Sequence, residues 1–150
     1  GTFMDYGGAG IAFKLGGTAT LPPGPGPAPP ANPPEEFFSP ATAAAGAEPY
    51  RVYCSRCHGS ETHSLNIIPD LRRSAALTSA ALWNNIVIDG AFEANGMIGW
   101  SEFLTDCDAE SIRAYVAAQA RILRGAETPG AVAPPTILIP PPRPIGPDAL

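Results

Sequence analysis

Two cysteines and a histidine are crowded into five residues, Cys54-Ser55-Arg56-Cys57-His58, and any fold must present all three from one turn of backbone. Cysteines three apart share one face of a helical turn, so both sulfurs can reach one edge of a flat macrocycle. The histidine directly after the second cysteine is then carried beneath the centre of that ring. This is the attachment pattern of a c-type haem, with thioethers from Cys54 and Cys57 and with His58 as proximal iron ligand. A bare Cys-x-x-Cys also serves as a zinc half-site or a redox pair. Neither of those needs the adjoining histidine, and the sequence holds no second cysteine pair to complete a zinc site.

Charge narrows the function classes further. Only 15% of the 150 residues are charged, the net charge is −5, and Lys14 is the sole lysine. So few cations cannot neutralise a phosphate backbone, which argues against nucleic-acid binding. No apolar run reaches the roughly 18 residues that would cross a bilayer. No leader pattern is visible and the first residue is Gly1, so the chain reads as a mature or excised piece of something longer. If haem consumes one cysteine pair, Cys107 is left over and reads as a small, half-buried side chain near a helix start. Haem is joined to such chains after export, which implies the bacterial periplasm.

Composition divides the chain into four segments. Residues 1–20 are glycine-rich, and Gly10-Ile11-Ala12-Phe13-Lys14-Leu15-Gly16-Gly17 reads as one β-strand between turns. A lone strand must pair outside the chain or lie against the domain. Residues 21–38 form a linker, with eight prolines between Pro22 and Pro34 and no apolar face to bury. In polyproline conformation this run could span on the order of 40 Å. A tether of that kind makes the body on its amino-terminal side the working partner of the domain on its carboxyl side. Residues 39–127 form a helical domain, and 128–150 a tail with eight more prolines around Ile137-Leu138-Ile139. The tail is either a disordered end or an extended arm lying in a groove of a partner or a neighbouring domain.

Within the domain, one helix is expected over Thr42 to Cys57, delivering the cysteine pair at its end. A second runs from about Ser79 to Asp89, capped by Thr78 or Ser79 and stopped by Gly90. A third is capped by Thr105 or Asp106, has Asp108 and Glu110 in its first turn, and stops at Gly125. Fewer than 90 residues make a small core, to which a haem would add a large apolar body.

A six-coordinate haem needs a second axial ligand. Met4 precedes the linker, whereas Met97 lies in Asn95-Gly96-Met97-Ile98-Gly99-Trp100, a loop whose glycines would let backbone approach a ring closely. Met97 is therefore the candidate, and His63, five residues past His58, is kept as a surface residue. The carbonyl of Pro69 is the candidate acceptor for His58 Nδ1–H. Arg72 and Arg73 either pair with haem propionates or are solvated surface. Trp83 and Trp100 read as pocket walls, with either indole N–H able to serve a propionate.

Tyr53-Cys54-Ser55-Arg56-Cys57-His58-Gly59, Pro69-Asp70-Leu71-Arg72, Trp83 through Gly90, Asn95-Gly96-Met97 and Ala109 through Val116 together resemble the C-terminal cytochrome c domain of quinohaemoprotein alcohol dehydrogenases. Ala12-Phe13-Lys14-Leu15-Gly16-Gly17 looks like the last propeller strand before the proline-rich linker of that family. The resemblance implies an all-α fold: a small class I cytochrome c-like helical domain around one haem, with a short N-terminal strand remnant and proline-rich linker and tail. It implies one covalent haem c on Cys54 and Cys57, with His58 and Met97 as axial ligands. It also implies electron transfer from reduced PQQ in a propeller domain or subunit to an external acceptor such as a blue-copper protein or another cytochrome. Nothing in the sequence corresponds to the propeller that holds PQQ, calcium and the catalytic aspartate, so this chain alone is expected to be a non-catalytic part. Competing readings are a stand-alone monohaem carrier, an open-coordination haem enzyme or sensor, and a zinc or dithiol module.

Overall fold

The computed structural model describes residues 15–18, 28–36, 38–64 and 68–128, and within them the architecture is helical, without strands. Leu15 and Gly16 form a turn and Gly17 is in no strand, while residues 10–14 of the expected strand, like the proline-rich tail beyond Thr128, lie outside the described residues. Helix α1 is Pro40–Pro49, α2 is Ser55–His58, α3 is Ala80–Val87 and α4 is Asp106–Glu127. Short 3₁₀ turns connect them.

The long fourth helix is the spine. Thr105 caps it with a reciprocal box: its side chain accepts from Asp108 N–H, while the Asp108 carboxylate accepts from Thr105 N–H. One side of α4 is buried from Ala109 through Ala120, with Ile112 and Val116 fully enclosed. Contrary to the expected stop at Gly125, the helix continues to Glu127. The override is tertiary: Glu127 is held by Ala31 N–H and by Arg73.

The small side chains of α1 let it lie directly on α4. A Cβ at Gly46 would sit 1.8 Å from the Ser111 carbonyl oxygen, so the two backbones touch there. Ser39 caps α1 by accepting from Thr42 N–H, with Pro40 in the first turn. The single helix expected over Thr42 to Cys57 is in fact interrupted. Pro49 has no N–H and crowds the preceding turn, and the residues after it, Tyr50–Cys54, wind as a π-helix before α2 resumes. Helix α3 is capped by Ser79, which accepts from Leu82 N–H. It is pinned to α4 by Trp83, whose indole Nε1–H donates to Ala109 O at 2.9 Å.

The linker behaves differently from its sequence reading. Ala31 and Pro34 are buried, and residues 29–36 lie along α4 as a strap. Arg73 donates to Pro29 O, Arg124 to Ala31 O at 2.8 Å, and Arg121 to Pro34 O at 2.9 Å. Arg113, 1% exposed, bonds both Glu36 and Glu110 at 2.7 Å and donates to Leu77 O. Prolines leave carbonyls without matching N–H groups, and the arginines supply the missing donors. Cys107 is exposed in the first turn of α4, not half-buried.

Gly46→Ala should cost about 3 kcal/mol, because overpacking against backbone cannot be relieved by a rotamer change. Gly96→Ala, at φ +91° with nothing within 4 Å of the new Cβ, should cost only about 1–2 kcal/mol of backbone strain. Urea denaturation of both variants checks this; equal losses would remove the close contact as the basis of the α1–α4 packing.

Candidate functional site

The widened turn at Tyr50–Cys54 sets how the cysteines are presented. Cys54 is buried at its end, and Cys57, within α2, is exposed. Burial pushes the Cys54 thiol up to about 12, with the neighbouring Cys57 adding to the rise. Gly59 follows α2 at φ +81°, and a Cβ there would meet His63 O at 1.9 Å, so only glycine permits this exit. Tyr50, enclosed against Tyr115 with ring centroids 5.1 Å apart, closes the turn from inside. Its hydroxyl donates to Gly59 O at 2.9 Å and reaches His58 O at 3.3 Å.

His58 is buried, and its Nδ1 lies 3.2 Å from Pro69 O. A carbonyl can only accept, so Nδ1 carries the proton and Nε2 is left with its lone pair. Burial lowers the His58 pKa, partly opposed by the Pro69 contact, which favours the neutral imidazole that metal ligation requires. His63 is exposed.

Met97 is half-buried and packs against the core. Its loop is fastened to the end of α3: Trp100 N–H donates to Val87 O at 2.9 Å and Ala91 N–H to Asn85 O at 3.0 Å. The two glycines flanking Met97 have different tasks. Gly99 crosses Gly90 so closely that a Cβ would lie 3.0 Å from Gly90 N, so its small size serves that crossing. Gly96 turns the chain in the left-handed region with open space beside it. Trp100 is half-buried in an aromatic group, 5.3 Å from Tyr53 and 6.2 Å from Phe103 between centroids.

Three expected propionate partners are committed elsewhere. The Trp83 indole N–H is spent on Ala109 O. The Arg72 fork closes on Asp70 through Nε at 2.9 Å and Nη2 at 2.8 Å, and Arg73 pairs with Glu127 and Asp70. Neither arginine is plain solvated surface. Sequence reading missed Tyr50 and Asp70; a tyrosine four residues before the first cysteine and an Asp-x-Arg pair were the available signals.

The donor set fits a c-type haem. Two free thiols flank one turn, a neutral imidazole adjoins them with Nδ1 already engaged, and a loop thioether packs on the same core. Among the described residues, no three His, Cys, Asp or Glu side chains converge as a cluster for a metal ion. Residues 41–116 match the family model described as "Cytochrome C oxidase, cbb3-type, subunit III". The chain belongs to that cytochrome c family. This cytochrome domain is 39% identical over 111 residues to quinohemoprotein alcohol dehydrogenase ADH IIB of Pseudomonas putida, covering 71% of this chain and 16% of that protein. Lupanine 17-hydroxylase [cytochrome c] of Pseudomonas sp is 36% identical over 110 residues, covering 71% and 15%. The solved structure of quinohemoprotein alcohol dehydrogenase ADHIIG from Pseudomonas putida HK5 superposes with a TM-score of 0.60 at 34% identity, over 72% of this chain and 16% of that one. The chain thus spans about a sixth of the length of these relatives.

Asp70 joins the imidazole acceptor to the rest of the domain. Burial works to raise its pKa, but the Arg72 hydrogen bonds and charge outweigh it, with Arg73 adding, and the net direction is down from 3.8. A carboxyl with a lowered folded pKa contributes stability that is complete above the unfolded value and lost as pH falls through the folded one. Asp70→Asn should therefore lose stability relative to wild type above about pH 4, with the gap closing on further acidification. Urea midpoints measured across that range check it, and a gap that widens in acid would contradict it.

Proposed function

We propose that this cytochrome domain carries one haem c, joined to Cys54 and Cys57 and held axially by His58 and Met97. In this reading it accepts electrons from reduced PQQ in a dehydrogenase propeller and passes them to an external periplasmic acceptor, a blue-copper protein or another cytochrome. The observation that carries it is the His58 Nδ1 contact with Pro69 O at 3.2 Å, which puts the proton on Nδ1 and leaves the Nε2 lone pair that a ligand needs. Haem supplies the one-electron carriage; the protein's part is to keep its ligands still. Tyr50 holds the backbone carbonyls at the end of the cysteine turn, and the α3 anchors at Val87 and Asn85 hold the Met97 loop. Two protein ligands leave no open position for substrate. Alcohol oxidation, named for the relatives, would then belong to a PQQ- and calcium-binding propeller that these residues do not form. No helix among the described residues is long and apolar enough to cross a membrane.

Matured in a host competent in cytochrome c assembly, the protein should show sharp c-type α and β bands and a weak near-infrared thioether-to-Fe(III) band. Colourless protein would overturn the reading. His58→Ala should abolish the normal low-spin spectrum. Met97→Ala should lower the midpoint potential, because thioether ligation disfavours Fe(III), and should allow a carbon monoxide adduct. An unchanged potential in Met97→Ala would remove it as ligand. Ready carbon monoxide binding by the wild type would favour an open-coordination haem enzyme or sensor.

A further inference from the structure

Pro69, whose carbonyl accepts from His58 Nδ1–H, is itself exposed. What fixes that carbonyl is the next residue. Asp70 accepts from Arg72 N–H and closes on the Arg72 guanidinium, and it pairs with Arg73 Nε at 3.4 Å. Arg73 in turn reaches two distant parts of the chain. Its Nη1 pairs with Glu127 at 2.7 Å and donates to Pro29 O. Glu127 accepts from Ala31 N–H at 2.8 Å, and Asn32 N–H donates to Arg72 O at 2.9 Å. The strap, the last turn of α4 and the turn bearing Pro69 are therefore closed into one loop of contacts.

We propose that the strap at Pro29–Asn32 and the Asp70–Arg73–Glu127 ion-pair chain act as one positioning device that holds the Pro69 carbonyl against His58 Nδ1. The seating of the linker on the domain is then felt in the electron density that the imidazole offers iron. This rests on the reading of His58 as proximal ligand. A carbonyl on Nδ1–H raises ligand basicity and so favours Fe(III). Loosening it raises the midpoint potential. Glu127 is a positioning residue in this scheme; it touches neither His58 nor the cysteine turn.

The test uses the haem-loaded full chain with Glu127→Ala. The midpoint potential should rise by about 28 mV, a threefold change in the ratio of oxidised-state to reduced-state stabilisation. The His58 Nδ1 proton, followed by NMR, should exchange faster with solvent. Arg73→Gln should give the same direction, and the double variant should shift no further than the larger single one, since both break one chain of contacts. Glu36→Gln removes a partner of Arg113 outside the Pro29–Asn32 contacts, so it should lower stability and leave the potential unchanged. If Glu127→Ala does not accumulate holoprotein, Glu127→Gln keeps an oxygen for Ala31 and loses the charge, and a smaller upward shift is expected. Reduced stability with unchanged potential and proton exchange would overturn the proposal while leaving the haem reading intact, as would additive shifts. Absence of a histidine-ligated spectrum in the wild type would overturn both.

Discussion

Backbone contact between α1 and α4 at Gly46 governs where everything downstream of α1 can go. With Ser111 O lying where a side chain would begin, the helices cannot slide or separate by a methyl group without losing the seat. One turn later Tyr50 meets Tyr115 on α4 and holds the carbonyls of His58 and Gly59. The register of two helices thus becomes the position of a ligand turn. Interiors are close-packed and transmit small displacements, so a contact with no polar atom of the site still decides its geometry.

The scarcity of cations has a second meaning beside the exclusion of nucleic acid. Of nine basic residues, Arg72, Arg73, Arg113, Arg121 and Arg124 are engaged with backbone carbonyls or carboxylates of the strap, the Asp70 turn and α4. Arg113 is the extreme case. A fully enclosed guanidinium is costly unless paired and hydrogen-bonded, and it is paired with Glu110 and Glu36, bonded to Leu77 O, and 4.7 Å from the Phe38 ring centroid. Arginine suits this task because its planar fork can bond several acceptors at once. A proline-rich segment offers such acceptors in excess.

Much of the site was legible because its signals are local. The Ser79 and Thr105 caps each depend on a few adjacent residues and stand where the sequence suggested, whereas α3 ends at Val87, ahead of the expected stop at Gly90. What escaped reading depends on residues far apart in the chain. The strap has no periodic apolar face, so its docking depends on donors on α4 that no pattern in residues 29–36 announces. The Trp83 N–H is taken by Ala109, and Gly125 is carried through by Glu127, both tertiary overrides of sound local rules. The π-turn is intermediate: Pro49 was visible, but its consequence was expressed in the five residues after it, where the cysteines begin.

The surroundings of Cys54 bear on which of the chemistries open to Cys-x-x-Cys suits that sulfur. A zinc site requires thiolates, and a redox pair requires at least one that forms readily near neutral pH. Such sites carry cations or helix amino-termini beside the sulfur to stabilise negative charge. Cys54 stands at the start of the four-residue α2, yet its sulfur lies in an apolar interior. It is buried in the core cluster with Tyr50 and Tyr115, and its thiol is pushed up to about 12, first by burial and then by Cys57. Such a sulfur is poorly placed to become an anion in the folded domain. A thioether carries no charge in any step of electron transfer and loses nothing by sitting among apolar rings. The same interior that disfavours a thiolate also lowers the His58 pKa, so burial favours the uncharged form of both side chains.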